Sequence, residues 1–122
     1  MADVRLSEQT KDQLIRLKRV TGIKNWNILC RWALCLSLSE GEQLNDSPDS
    51  GESAIEMRWD VFGGEFQQIY YALLAYDCKE KGLELNDRNI SRLARLHIQR
   101  GVNLLANKKK ITGLEDLLRL AV

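Results

Sequence analysis

Residues 2–38, ADVRLSEQTKDQLIRLKRVTGIKNWNILCRWALCLSL, decide the fold. Ala2 to Leu6 alternates, with Val4 and Leu6 on one face and Asp3 and Arg5 on the other, which predicts a short strand. A strand of that length is unstable alone and needs pairing, for which its own copy is the nearest candidate. Ser7 is placed to cap a first helix running to about Val20, and Glu8 suits the positive helix end. Leu14 and Leu17 form its buried stripe, and Gly22 supplies a left-handed C-cap. Asn25 can cap a second helix, about Trp26 to Leu38, in which ten of thirteen residues are apolar. A helix with so little polar surface cannot face water on any side. It must be central and it needs a partner, most cheaply another copy of the chain. Trp26, Leu29, Trp32 and Leu36 are the expected oligomer contacts.

The character of the chain changes at residue 39. Residues 39–53, SEGEQLNDSPDSGES, contain the only proline and a cluster of turn formers, predicting an exposed acidic loop. Ile55, Met57, Trp59 and Val61 alternate within 54–62, which predicts a second short strand. After Gly63-Gly64 a helix is expected over about Glu65 to Lys81, with Phe66, Ile69, Tyr70, Leu73 and Tyr76 at helical spacing and Gly82 at its end. Asn86 or Asp87 starts a long helix to about Asn107, carrying Ile90, Leu93, Ala94, His97 and Leu104 along one side. A last helix spans about Thr112 to Ala121, with Leu114, Leu117, Leu118 and Leu120 as anchors. The expected fold is therefore mainly α: a short N-terminal strand, about five helices, a possible second strand, and oligomeric. At 122 residues this is one domain, made of a unit at 1–39, the acidic loop at 40–53 and a helical part at 54–122.

Net charge is +1, but the charges are segregated. Residues 1–39 hold seven basic and three acidic groups, and residues 40–60 hold one basic and seven acidic. Residues 86–111 hold seven basic groups and one acidic. Two cationic blocks flanking an anionic middle suggest a polyanion-binding face. The N-terminal residues lack the apolar core of a signal peptide. The greasiest run, Trp26 to Leu38, is shorter than the ~20 residues a bilayer requires. A cytoplasmic protein without membrane attachment is the expectation. Cys30, Cys35 and Cys78 form no C-x-x-C, and their number is odd, so each is expected as a small apolar side chain.

No positioned catalytic set is visible. The single histidine, His97, falls on the apolar side of the long helix and reads as a core or interface histidine with a satisfied nitrogen. It has no second His or Cys at ligand spacing, so neither metal nor cofactor is expected. Gly63-Gly64 could leave amides free for an anion, although a plain turn is the better reading. The basic groups are the candidates for function. Lys11 and Lys18 lie seven apart on one face of the first helix, and Arg19 follows in its last turn. Lys24 sits at the start of the second helix, where free amides favour phosphate. Lys108, Lys109 and Lys110 close the long helix. Arg88, Arg92 and Arg95 form a stripe that could bind phosphate or hold the acidic segment.

The stretch Val4 to Leu34, VRLSEQTKDQLIRLKRVTGIKNWNILCRWAL, resembles the DndE family, the small subunit of the bacterial DNA phosphorothioation (Dnd) system, in which sulfur replaces a backbone oxygen of DNA. Residues 58–74, RWDVFGGEFQQIYYALL, resemble it as well, so the similarity spans most of the chain. The first unit alone is similar to ribbon-helix-helix proteins in the order of its elements. The DndE resemblance implies a non-catalytic DNA-binding subunit that forms a tetramer, binds duplex DNA through surface lysines and favours nicked duplexes. Its implied partners are the cysteine desulfurase, the sulfurtransferase and the ATPase of the same system. Asp3 and Arg5 on the outward face of the strand suit backbone contact better than base readout in a groove. A ribbon-helix-helix repressor and a scaffold for the modification enzymes are the alternatives.

Overall fold

A computed structural model describes residues 3–41, 44, 54–107 and 113–119. The elements are β1 (Val4–Leu6), α1 (Glu8–Thr21), α2 (Trp26–Glu40), β2 (Ile55–Met57), α3 (Trp59–Gly63), a 3-10 turn (Gly64–Phe66), α4 (Gln67–Glu80), α5 (Asp87–Asn107) and α6 (Leu114–Arg119). The protein is mainly helical, as expected, with one strand pair.

That pair is formed within the chain. β1 runs antiparallel to β2, with Val4 opposite Met57, Arg5 opposite Glu56 and Leu6 opposite Ile55. The strand thus finds its partner about fifty residues downstream and has no need of its own copy. Both strands bury alternate residues, Val4 and Leu6 against Ile55 and Met57, and turn Arg5 and Glu56 to solvent.

The alternation read over 54–62 holds only to Met57. Arg58 is still extended, and Trp59 then opens a one-turn helix. Trp59 and Phe62 are buried at i, i+3 spacing while Val61 is exposed, so helical periodicity overrides the apparent period of two. The two rings lie 5.3 Å apart, and Tyr71 meets Trp59 edge-on at 6.4 Å. Gly63-Gly64 is a turn: the Gly64 amide closes α3 by donating to the Asp60 carbonyl, and Gly64 lies at φ +57°.

α1 has the expected ends. The Ser7 hydroxyl accepts from the Thr10 amide at 3.3 Å, and Gly22, at φ +75°, donates back to the Lys18 carbonyl at 3.1 Å. α2 is central, as its composition demands, but α1, α3 and above all α5 of the same chain cover it. Leu29, Cys30, Ala33, Leu34 and Ser37 are buried there without any second chain. α2 and α5 run antiparallel and touch at Ala33 and Gly101, where no side chain separates the backbones. α1 and α5 run in the same sense. Ser91 Oγ donates to the Asp3 carbonyl at 3.1 Å, Gln13 Nε2 to Asn103 Oδ1 at 3.1 Å, and Arg16 Nη1 to the Ala106 carbonyl at 3.3 Å.

α4 departs from expectation. It packs through Leu74 and Cys78, with Tyr70, Tyr71 and Ala75 half-buried, whereas Phe66, Ile69, Leu73 and Tyr76 face outward. Of the α6 leucines only Leu117 is buried; Leu114 and Leu118 are exposed, and Leu120 lies outside the described residues.

Candidate nucleic-acid interface

The α1–α2 turn gathers positive charge. Lys18 and Arg19 occupy the last turn of α1, and Lys24 precedes α2; all three are exposed. From Gln13 to Ser39 the chain has five basic residues and no acidic one. The Gly22 turn folds Lys24 back toward the end that carries Lys18. Lys18 Nζ sits 5.7 Å from the centre of the Trp26 ring, a cation–π contact that positions the ammonium. Asn25 makes no side-chain cap bond, and its backbone carbonyl accepts from the Ile28 amide at 3.1 Å. Lys11 lies two turns earlier on α1 and is half-buried.

Arg88 and Arg92 are also exposed, but at the opposite end of the molecule. From Arg88 to Ala106 the α5 axis rises about 27 Å, and Arg16 ties Ala106 to the second half of α1. The structure therefore separates the expected DNA contacts into two groups, one at each end of α5. Lys108, Lys109 and Lys110 lie outside the described residues. Their described flanks both meet α1: Ala106 through Arg16, and Gly113, whose Cα faces the Val20 carbonyl.

Three further arginines are bonded within the chain. Arg31 on α2 donates through Nε to the Phe62 carbonyl and through Nη2 to the Val61 carbonyl at 3.3 Å, capping α3. Arg100 donates to Ser37 Oγ at 2.8 Å and to the Ser37 carbonyl at 2.6 Å. Arg58 makes two bonds to Asp60, at 3.0 and 2.6 Å.

His97 is buried, and both ring nitrogens are engaged: Nδ1 with Ser37 Oγ at 2.8 Å and Nε2 with Asp77 Oδ2 at 2.7 Å. Lys81 Nζ reaches the other Asp77 oxygen at 2.5 Å. Burial lowers the His97 pKa, with Asp77 opposing and Lys81 and Arg100 assisting. Burial would raise the Asp77 carboxyl, yet bonds from Lys81 and His97 hold it below the usual range. A neutral ring that donates from Nε2 to Asp77 and accepts at Nδ1 from the Ser37 hydroxyl satisfies every member. This Ser–His–Asp chain joins α2, α5 and α4. Ser37 has no exposed surface, so its hydroxyl meets no substrate. Asp77–Lys81 is visible in the sequence as an i, i+4 pair; nothing in the sequence links it to Ser37.

Of the expected oligomer contacts, Leu29 is fully buried within the single chain, while Trp26, Trp32 and Leu36 are half-buried against the same core. All three cysteines are free thiols; Cys30 is buried and its pKa is pushed up to about 12. No helix among the described residues is long and apolar enough to cross a membrane.

A two-stranded ribbon, two helices around a glycine turn and a cationic helix end make this a small, mainly helical protein. More specifically, the chain belongs to the DndE family: the family model for DNA sulphur modification protein DndE matches residues 3–113. Among solved structures it is similar to DndE from Escherichia coli B7A involved in DNA phosphorothioation modification, with 25% identity and a TM-score of 0.71 over 86% of this chain and 96% of that one. It is also similar to a DndE G21/24K mutant involved in DNA phosphorothioation, with 26% identity and a TM-score of 0.67 over 88% and 98%. No curated protein sequence matches significantly.

Proposed function

We propose that the chain is a non-catalytic, cytoplasmic DNA-binding subunit of the phosphorothioation machinery. It grips the duplex backbone with little base readout, favours nicked duplex, and works as a homo-oligomer of tetrameric size alongside the desulfurase, sulfurtransferase and ATPase. The observation that carries this reading is the cationic end at Lys18, Arg19 and Lys24, all three exposed, on a stretch from Gln13 to Ser39 that has no acidic residue. The described residues on either side of 108–112 meet that same half of α1, Ala106 through Arg16 and Gly113 beside the Val20 carbonyl. Lys11 flanks this end, and Arg88 and Arg92 give a second contact about 27 Å away, within one ~34 Å duplex turn.

A ribbon-helix-helix repressor fits less well. Its ribbon would offer the groove outward side chains, and here Arg5 is set 3.8 Å from Glu56 across the ribbon. A carboxylate at that position repels phosphate and makes base readout in the groove unfavourable.

Salt-titrated binding to intact, nicked and single-stranded DNA of unrelated sequences tests the reading. Affinity should fall with salt at a log–log slope of roughly −0.9 per phosphate contacted, should be strongest on nicked duplex, and should vary little with sequence. A flat salt response or a strong preference for one palindrome would overturn it.

A further inference from the structure

Three large apolar side chains on one face of α4, and Phe66 at its N-cap, are open to water: Phe66 (51% exposed), Ile69 (57%), Leu73 (40%) and Tyr76 (68%). Their spacing is three, four and three residues, the seam of a two-helix coiled coil. α4 meets the core through Leu74 and Cys78 on another side, and among the described residues this seam stays exposed. Four such residues in a row on a solvent-facing helix exceed the scattered exposure normal for a surface.

We propose that this face pairs with α4 of a second copy, antiparallel about a twofold axis at the level of Tyr71 and Ala72. The flanking charges choose this occupant and orientation. Glu65, in the turn that leads into α4, and Lys79, in its last turn, lie fourteen residues apart at the two ends of the seam, and both are exposed. In an antiparallel pair the layers are Phe66 on the partner's Tyr76 and Ile69 on the partner's Leu73, each occurring twice. That register sets each Glu65 beside the partner's Lys79. It also places Ala72, small and exposed, one residue from the axis, where two backbones can approach. A parallel pair would stack Glu65 near Glu65 and Lys79 near Lys79. The four side chains expose roughly 400 Å² per copy, so the seam alone removes about 800 Å² from water and the flanks bring the contact toward the ~1,200 Å² of a specific interface. An isologous contact of this kind is one of the two that a tetramer with dihedral symmetry requires. The proposal deepens the oligomeric part of the reading above and does not depend on DNA binding.

Light scattering and sedimentation of the full chain without DNA test it. The parent should be at least dimeric at tens of micromolar, and Ile69→Glu or Leu73→Glu should lower the mass at least twofold with an unchanged melting temperature, since both side chains are exposed. Glu65→Lys and Lys79→Glu should each weaken association about tenfold, and the double exchange should restore it to within about threefold. Ala72→Cys in a Cys35→Ser background should form a disulfide-linked dimer under mild oxidation, and Gln68→Cys, off the seam, should not. A monomeric parent, an unchanged mass in both glutamate variants, or a double exchange as weak as its singles would overturn the proposal. Loss of association with DNA affinity per chain retained separates this interface from the DNA surface.

Discussion

Gly101 faces Ala33 across the α2–α5 crossing so closely that a methyl group added at Gly101 would sit 1.9 Å from the Ala33 carbonyl oxygen. Alanine is the better helix former by about 1 kcal/mol, so in an isolated helix the exchange would help. Here the neighbouring atoms are backbone in the most buried part of the molecule and cannot rotate away. Gly101→Ala must push α5 off α2. We expect it to cost at least ~2–4 kcal/mol, read as a lower urea midpoint and a melting temperature down by 10 °C or more. Equal or greater stability in the variant would show that the helices do not cross at this point.

Local signals serve well where the physics is local. Ser7 and Gly22 end α1 where their capping chemistry says they should, and Asn86 caps α5 by accepting from the Asn89 amide at 2.8 Å. The run Trp26–Leu38 reads as central, and it is. What covers it is not legible, because an apolar helix states its need for a partner without naming one; α5 meets that need through Gly101, a residue with no hydrophobic signature at all. α4 misleads for the opposite reason. It carries two apolar stripes, and periodicity cannot say which one faces the core. The β1 partner at 55–57 lies across a long loop, beyond any pattern of spacing.

His97 should make stability depend on pH. Its folded-state pKa lies below its ordinary value of 6.5, because burial disfavours the charged ring more than Asp77 favours it. A depressed pKa means that the unfolded chain takes up the proton first. The stabilisation is thus complete above about pH 6.5 and is lost as pH falls toward the folded-state value. Asp77, also depressed from 3.8, adds loss in the same direction in more acid solution. Between pH 7.5 and 5.5 the unfolding free energy should decline with a limiting slope of ~1.4 kcal/mol per pH unit from this one proton. His97→Gln should flatten that slope, while losing ~1–3 kcal/mol at pH 7.5 through the unsatisfied partners Ser37 and Asp77. A slope that survives in the variant would place the titrating group elsewhere.

Arg31 should matter for stability through hydrogen bonding more than through charge. Its guanidinium satisfies the carbonyls of Val61 and Phe62 at the end of α3, and Gly64 is open enough to admit it: a side chain there would meet Nη2 at 2.9 Å. Arg31→Met keeps the aliphatic stem but takes the side-chain donor from the Phe62 carbonyl and leaves the Val61 carbonyl with Asn27 Nδ2 alone, at 3.1 Å. We expect a loss of ~1–3 kcal/mol in urea unfolding. Arg31→Lys should recover only part of it, since a point charge cannot reproduce the planar fork. Full rescue by lysine would mean that charge alone suffices.

The cations of this chain should sort into two kinds when each is removed, and the sorting separates surface from scaffold. Lys18, Arg19 and Lys24 are exposed; among their described contacts only Lys18 over Trp26 ties one of them to the fold. Lys18→Ala, Arg19→Ala and Lys24→Ala should leave urea midpoints within ~0.5 kcal/mol of the parent. Combined, they should weaken binding to unrelated duplexes about equally and make the log–log salt dependence shallower by roughly one unit for each phosphate that is no longer neutralised. Lys108–Lys110→Ala should behave the same way. Arg16→Ala and Arg100→Ala should do the reverse at matched folded concentration, with clear destabilisation from the missing bonds to Ala106 and Ser37 and little change in salt slope. If the exposed set destabilised the fold, or the bonded arginines carried the salt dependence, the cationic end of α1 would not be the surface that meets phosphate.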